Sequence, residues 1–159
     1  MELNGETLRF IREHCKDDVR SLALQAPKYP GVDMSVALTQ IAGRQAAAEK
    51  IPSWHEEEGV LYPRHLSLEQ CSSEATARYK ASIIPESSSG TLTDLTGGFG
   101  IDCAFLSPKF HHVTYVERQE VLCEIASHNF PLLGLNHIQI ENKDGIRHLQ
   151  EMSSVDWIF

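Results

Sequence analysis

The sequence is poor in cysteine and contains no long apolar run, and each absence excludes a class of protein. Its four cysteines form no Cys-x-x-Cys pair and no group with histidine at zinc spacing, and its eight histidines show no metal-site spacing either. We therefore expect reduced thiols and no bound metal. No stretch reaches the roughly 18 apolar residues of a membrane-spanning helix. The N-terminus lacks the basic segment and the apolar segment of a signal peptide. We expect a cytoplasmic protein with no membrane partner.

Basic residues are also scarce, since 14 lysines and arginines stand against 22 aspartates and glutamates, for a formal net charge of −8. Residues 91–159 are the more acidic part, with four basic and nine acidic residues. Tight binding to a phosphate backbone requires a basic surface. Any contact with RNA is therefore expected to involve parts of a protein outside this sequence.

Residues 1–84 are predicted to form a mainly helical region, because apolar residues recur at helical spacing and stop at prolines. The predicted helices are two short ones within residues 3–24, one over residues 34–51 that Asp33 caps and Pro52 ends, and one over residues 73–84 that Ser72 or Ser73 caps. Residues 53–65 are interpreted as a loop with a short strand at residues 60–62. The segment Pro-Glu-Ser-Ser-Ser-Gly, residues 85–90, is interpreted as a linker.

Residues 91–159 instead alternate between strand and helix patterns. The predicted strands are residues 91–95, 112–117, 137–141 and 155–159. The predicted helices between them are residues 101–106, 119–130 and 145–152, with Val121, Leu122, Ile125 and Ala126 on one face of the second. Regular alternation at this spacing is typical of a parallel sheet with right-handed crossovers, so the fold class is α/β.

A glycine-rich turn, Asp-Leu-Thr-Gly-Gly-Phe-Gly-Ile-Asp over residues 94–102, joins the first strand to the helix after it. Such a turn is often only a tight turn, but glycines also let a ligand approach the backbone N–H groups of a helix start. Glu117 follows Gly97 by about 20 residues, at the end of the next strand, where a carboxylate can accept the hydroxyls of a ribose. The combination predicts a site for a nucleoside cofactor.

The pattern fits a dinucleotide poorly, because the third glycine of Gly-x-Gly-x-x-Gly would fall at Cys103. A cofactor with an amino acid in place of the diphosphate needs an acceptor for its ammonium group, and Asp94 fits that need. Asp144 ends the third strand before Gly145, where it can recognise an adenine amino group. The alternative is that Asp144 only caps the following helix.

These segments resemble the motifs of a known family. Residues 94–100, Glu117, and the Asp144-Gly145 pair resemble motifs I, II and III of the class I S-adenosylmethionine-dependent methyltransferases. Thr96 stands where motif I has its first glycine, a variant similar to that of some RNA methyltransferases, including those that act on a guanine amino group of ribosomal RNA. Residues 68–84 resemble the pre-motif helix of an uncharacterised bacterial methyltransferase family whose larger members carry a THUMP-like C-terminal domain.

The resemblance implies a partial Rossmann-like domain over residues 91–159, with strand order 3-2-1-4, after a helical region over residues 1–84. It also implies S-adenosylmethionine as cofactor. The cofactor-binding residues it implies are Asp94, Thr96, Gly98 and Gly100 at the methionine end, Glu117 at the ribose and Asp144 at the adenine. The cofactor-binding set also includes Gly97, Arg118 and Gly145. Ser73 and Lys80 would flank the methionine pocket, or else be a helix cap and an exposed lysine.

In this family the catalytic motif directly follows the fourth strand, and the sequence stops at Phe159. We therefore expect the cofactor-binding portion of a longer RNA methyltransferase, inactive by itself, with no assignable catalytic residue. The apolar strand that begins at Val155 would form an edge of the sheet, and exposed apolar edges pair. We expect it to self-associate or to be covered by the N-terminal helices.

Two alternatives remain open on the sequence. The first is a fragment of an NAD-dependent oxidoreductase, which Cys103 disfavours. The second is a non-catalytic nucleotide-binding or interaction module, in which the acidic helical half recruits a partner.

Overall fold

A computed structural model describes residues 3–85 and 90–159 of the chain. The chain divides into two compact units, Met1–Glu69 and Gln70–Phe159. Residues 86–89, the middle of the predicted linker, lie outside the described residues. In the part of the chain that the structure describes, no helix combines the length and the apolar character needed to cross a membrane.

The first unit is helical, as the sequence predicts. Its helices are α1 (Gly5–Glu13), α2 (Val19–Leu24), a 3-10 turn (Ala26–Lys28), α3 (Met34–Lys50), α4 (Pro52–Glu56) and α5 (His65–Gln70). The side chain of Asp33 accepts a hydrogen bond from the backbone N–H of Val36 over 3.1 Å, which confirms it as the cap of α3. The core of this unit is a cluster of Phe10, Leu22, Ala37 and Ile41.

Two predictions for residues 52–65 are wrong. Pro52 occupies the first turn of a further helix, where its missing N–H costs nothing, and α5 follows at His65. Residues 60–62 are buried but form no strand. Instead, the side-chain amide of Gln40 donates to the carbonyl of Tyr62 and accepts from its N–H, both over 2.8 Å. A side chain of α3 thus satisfies the backbone groups for which a strand would need a neighbour.

The second unit contains helix α6 (Glu74–Ser82), followed by four strands that alternate with three α-helices. These elements are β1 (Thr91–Asp94), α7 (Ile101–Leu106) with a 3-10 turn (Ser107–Lys109), β2 (His112–Glu117), α8 (Glu120–Leu132), β3 (Ile138–Asn142), α9 (Gly145–Glu151) and β4 (Trp157–Ile158). The four strands form one sheet in the order β3-β2-β1-β4, and every pairing is parallel. The predicted fold class and strand order are confirmed.

The register of the strands brings their carboxyl ends to one edge. Asp94 of β1 lies opposite Tyr115 of β2, and Glu117 at the end of β2 lies opposite Asn142 of β3. The strand β4 is shorter than predicted, but the pairing extends beyond it, because the N–H of Phe159 donates to the carbonyl of Thr93 over 2.9 Å. The loops that follow β1, β2 and β3 therefore start side by side.

The sheet packs on apolar faces of α7 and α8. The buried residues are Leu92, Val113 and Val116 of the sheet, Ile101 and Leu106 of α7, and Leu122, Ile125, Ala126 and Phe130 of α8. The sequence pattern predicts Val121 on the same face of α8 as Leu122, Ile125 and Ala126, but Val121 is 56% exposed. The helix α8 continues through Pro131 to Leu132, two residues beyond its predicted end.

Candidate functional site

The glycine turn between β1 and α7 requires glycine at three positions for two reasons. Gly98 and Gly100 have φ angles of +55° and +89°, in the left-handed region that other residues avoid. Gly97 is needed for space, since a Cβ there would overlap the ring of Tyr115. At Gly98, in contrast, a Cβ would meet only the carbonyl oxygen of Thr96, at 3.7 Å. The turn is therefore tightly packed on its inner side and open at Gly98.

Glu117 lies directly against this turn. Its Oε2 accepts a hydrogen bond from the N–H of Gly98 over 3.0 Å, and its Oε1 accepts one from the N–H of Gln119 over 2.8 Å. The side-chain amide of Asn142 donates to the carbonyl of Glu117 over 2.9 Å and holds the end of β2 from the other side. Each carboxylate oxygen can accept more than one hydrogen bond, so both oxygens retain acceptor capacity.

Tyr115 is a second link between β2 and the turn, and the sequence did not reveal it. Its hydroxyl donates to the carbonyl of Gly98 over 2.6 Å. Burial raises the pKa of Tyr115 strongly, so the hydroxyl keeps its proton and remains a donor. The only signal in the sequence is that Tyr115 stands two positions before Glu117 on a strand, which places both side chains on the same face.

Asp94, at the end of β1, is the most buried acid of the site, with 1% of its surface exposed. Its Oδ1 accepts a hydrogen bond from the N–H of Thr96 over 3.0 Å. Burial raises the pKa of Asp94 to about 7, and the charges of Asp102 and Glu117 act in the same direction. Asp94 therefore changes its charge near neutral pH.

A polar cluster of Ser72, Lys80 and Asp102 adjoins the turn. The Oδ2 of Asp102 accepts hydrogen bonds from the Ser72 hydroxyl over 2.8 Å and from the Lys80 ammonium over 3.0 Å. The Oδ1 of Asp102 is buried and has no hydrogen-bond partner among the described residues. The expectation of an exposed lysine is wrong at Lys80, whereas Ser73 is a helix cap that accepts from the N–H of Thr76.

Asp144 and Gly145 reach the same edge through the loop between β3 and α9. Asp144 caps α9, since its Oδ1 accepts from the N–H groups of Ile146 and Arg147 over 3.0 and 3.1 Å. A Cβ on Gly145 would overlap the carbonyl of Leu95, so this loop packs directly on the glycine turn. The structure thus brings motif-like segments from three loops together.

The remaining predicted residues, Thr96 and Arg118, are exposed at the ends of β1 and β2. Thr96 contributes its N–H to Asp94, and its side chain faces outward from the fold. Among the described residues, no three His, Cys, Asp or Glu side chains are grouped so as to hold a metal ion. The four cysteines are free thiols.

No protein-family model matches the chain, and no curated protein matches it. Among solved structures, the chain is similar to a candidate methyltransferase from Porphyromonas gingivalis W83, with a TM-score of 0.75 and 27% identity. The match covers 99% of this chain and 41% of that protein, so the chain spans well under half the length of its relative. The resemblance to methyltransferases is thereby confirmed at the level of the fold.

The chain also has two weaker likenesses among solved structures. One is to a SAM-dependent methyltransferase from Agrobacterium tumefaciens, with a TM-score of 0.42 and 19% identity over 54% of this chain and 28% of that one. The other is to an rRNA methylase from Streptococcus thermophilus, with a TM-score of 0.38 and 21% identity over 44% of this chain and 41% of that one. Similarity at this level says nothing further about the activity of this chain.

Proposed function

We propose that the second unit binds S-adenosylmethionine and that the chain is the cofactor-binding portion of a methyltransferase. The observation that carries the proposal is the 3.0 Å hydrogen bond from the N–H of Gly98 to Glu117. It joins a glycine turn and a strand-end carboxylate into one site at the edge of a parallel sheet, which is where such sheets bind nucleoside ligands. The likeness to a candidate methyltransferase over 99% of the chain supports the same proposal.

The residues of the site fit the two ends of this cofactor. The carboxylate of Asp94 is an acceptor for the ammonium group of the methionine moiety, and Glu117 retains acceptor capacity for the two ribose hydroxyls. The open face at Gly98 lets the ligand approach the backbone between them. When bound, S-adenosylmethionine supplies a methyl group on a positively charged sulfur, and the acidic surroundings complement that charge.

The adenine end of the site is assigned to the loop after β3. Gly145 lies against the carbonyl of Leu95 in the glycine turn, and Asp144 precedes it. Arg118, which directly follows Glu117, is exposed at the end of β2. Because the Oδ1 of Asp144 already caps α9 with two hydrogen bonds, its other oxygen is the one proposed to accept from the adenine amino group. Thr96, Gly97 and Gly100 shape the turn without a proposed side-chain contact.

The substrate class is also a proposal. The Thr96 variant of motif I resembles that of RNA methyltransferases, so we propose RNA as the substrate. Residues 91–159 have four basic and nine acidic residues, which is unsuited to a phosphate backbone. The RNA contacts and the catalytic group are therefore assigned to regions of a longer protein, and the chain alone is proposed to bind the cofactor without transferring the methyl group.

The free edge of the sheet is proposed as a contact between copies of the chain. Trp157, Ile158 and Phe159, on and after β4, are 40%, 52% and 42% exposed. Among the described residues, β4 pairs with one strand of the sheet, β1. An exposed apolar edge with free backbone groups favours pairing with another strand.

Calorimetric titration with S-adenosylhomocysteine and with NAD tests the cofactor assignment. We expect S-adenosylhomocysteine to bind and NAD to bind at least tenfold more weakly. The Glu117→Ala substitution should weaken binding by about 1 to 3 kcal/mol, the scale of losing hydrogen bonds to a charged group. Glu141→Ala is the matched control, because this glutamate is an exposed carboxylate on β3. Tighter binding of NAD would favour the oxidoreductase, and binding of neither ligand would favour an interaction module.

A further inference from the structure

The backbone carbonyl of Glu117 accepts hydrogen bonds from three donors at once. The side-chain amide of Asn142 donates to it over 2.9 Å, the N–H of Lys143 over 3.0 Å and the thiol of Cys123 over 3.3 Å. Asn142 ends β3, Lys143 follows it, and Cys123 lies on α8. We call these three donors the carbonyl clamp. A carbonyl in a parallel ladder needs one backbone donor, which here is the N–H of Lys143, so the two side chains are additional.

The two side chains of the carbonyl clamp also bind each other. The side-chain amide of Asn142 donates to the sulfur of Cys123 over 3.4 Å, and it has two N–H donors for its two acceptors. Burial raises the pKa of the Cys123 thiol, so the thiol keeps its proton and donates to Glu117. This closed arrangement fixes the amide and the thiol relative to the end of β2.

The position of the Glu117 carbonyl determines where the Glu117 carboxylate can lie. Oε1 of that carboxylate accepts from the N–H of Gln119, two residues further along the chain. This hydrogen bond closes a ring that contains the peptide group between Glu117 and Arg118, whose oxygen is the one that the carbonyl clamp holds. Rotation of this peptide group would move the N–H of Gln119 away from Oε1. The carbonyl clamp and the carboxylate are therefore connected through a single peptide group.

The other carboxylate oxygen of Glu117 reaches the glycine turn. Oε2 accepts from the N–H of Gly98 over 3.0 Å, and the residue is buried. An acceptor contributes most to ligand affinity when it is held in place before the ligand arrives, because binding then costs little rotamer freedom. A carboxylate that is held at both oxygens, on a backbone that is itself held, meets this condition.

We propose that Asn142 is a positioning residue for the candidate cofactor site, because it holds the carbonyl of Glu117 so that the carboxylate can accept the ribose hydroxyls. The inference rests on the proposed function, and it assigns Asn142 no contact with the ligand. The role requires that the side chain at this position donates hydrogen bonds.

The test is a double-mutant cycle for S-adenosylhomocysteine binding, measured by calorimetry on the full chain. We expect Asn142→Ala to weaken binding roughly three- to tenfold, the scale of one lost hydrogen bond. In the Glu117→Ala background the same substitution should change the affinity by less than about twofold, because no carboxylate is left to position. An equal loss in both backgrounds would overturn the inference, since Asn142 would then act independently of Glu117.

Two further variants separate hydrogen bonding from packing. Asn142→Asp keeps the size of the side chain but replaces its donors with acceptors, so it should bind the ligand no better than Asn142→Ala. Gln139→Ala alters an exposed side chain on the same strand and should bind like the wild type. Wild-type affinity in Asn142→Asp would overturn the inference, because the donors would then be unnecessary. A loss in Gln139→Ala as large as that in Asn142→Ala would overturn it too, because it would indicate general damage to β3.

Amide hydrogen exchange in the free proteins gives a reading without ligand. We expect the N–H groups of Gly98 and Gln119 to exchange at least about fivefold faster in Asn142→Ala than in the wild type, because both donate to the Glu117 carboxylate. The N–H of Leu95, which donates to the carbonyl of Phe159 on the other side of β1, should exchange at the wild-type rate.

Unchanged exchange at Gly98 and Gln119, or an equal acceleration at Leu95, would overturn the inference while leaving the proposed function intact. Absence of S-adenosylhomocysteine binding by the folded wild type would overturn both.

Discussion

The N–H of Gly98 donates to a carboxylate oxygen of Glu117, and the hydroxyl of Tyr115 donates to the carbonyl of the same glycine. Both peptide groups of one turn residue are thus held by side chains of the neighbouring strand. Because β1 and β2 are also paired in register, the glycine turn has little freedom to change shape. A turn fixed in this way is ready for a ligand before the ligand arrives.

Tyr115→Phe should loosen the turn without changing its charge. The carbonyl of Gly98 would lose its donor, and we expect a loss of about 1 kcal/mol in the free energy of unfolding, measured with urea. The affinity for S-adenosylhomocysteine should fall severalfold. Tyr79→Phe is the control, because Tyr79 is 68% exposed. Equal stability of the two variants would show that the Tyr115 hydroxyl does not hold the turn.

Gly97→Ala should destabilise the second unit through steric overlap. The added methyl group would meet the ring of Tyr115, which is buried and has no room to move. We expect a loss of about 1 to 3 kcal/mol, the usual cost of overpacking. Gly5→Ala provides the comparison, since a Cβ there has no atom within 4 Å and should not destabilise the chain. If Gly97→Ala left the free energy of unfolding unchanged, Gly97 would not lie in close contact with the Tyr115 ring.

Asp94→Asn should make the free protein more stable at pH 8 but not at pH 4. The native pKa of Asp94, about 7, lies above the ordinary value of 3.8, so the native state retains a proton that the unfolded state releases. Stability from this group therefore falls as pH rises from about 4 to about 7, by roughly 4 kcal/mol in total.

The asparagine carries no such charge and can still accept from the N–H of Thr96. Urea unfolding of the two proteins at several pH values isolates the effect, because all other groups are common to both. A stability difference that does not vary with pH would mean that Asp94 is not the buried acid described. The same variant should bind S-adenosylhomocysteine more weakly at pH 8, since it lacks the negative charge.

Ile158→Lys should disrupt the proposed contact between copies of the chain. We expect the wild type to form dimers as its concentration is raised in sedimentation velocity experiments, and the variant to remain monomeric, because a charge on an edge strand opposes pairing. Ile146→Lys places the same charge on α9, at a side chain that is 71% exposed, and should not affect association. A wild type that is monomeric at all concentrations would refute the edge contact.

The sequence predicts those parts of the fold that depend on local patterns. Strand and helix alternation gives the parallel sheet, and the interval between Gly97 and Glu117 brings the carboxylate to the turn. The contacts that it does not predict depend on distant residues that meet only after folding. The amide of Gln40 pairs with Tyr62, 22 residues away, and Lys80 reaches Asp102 across the same interval. No periodicity in either segment encodes such pairs.

A crystal structure of the chain grown with S-adenosylhomocysteine tests the proposed cofactor site most directly. We expect ligand density along the edge formed by the loops after β1, β2 and β3. The ribose hydroxyls should lie within hydrogen-bond distance of Glu117, the ammonium group beside Asp94, and the adenine beside Asp144 and Gly145. A ligand bound elsewhere on the chain, or an empty edge at a saturating concentration of ligand, would show that this edge is not the cofactor site.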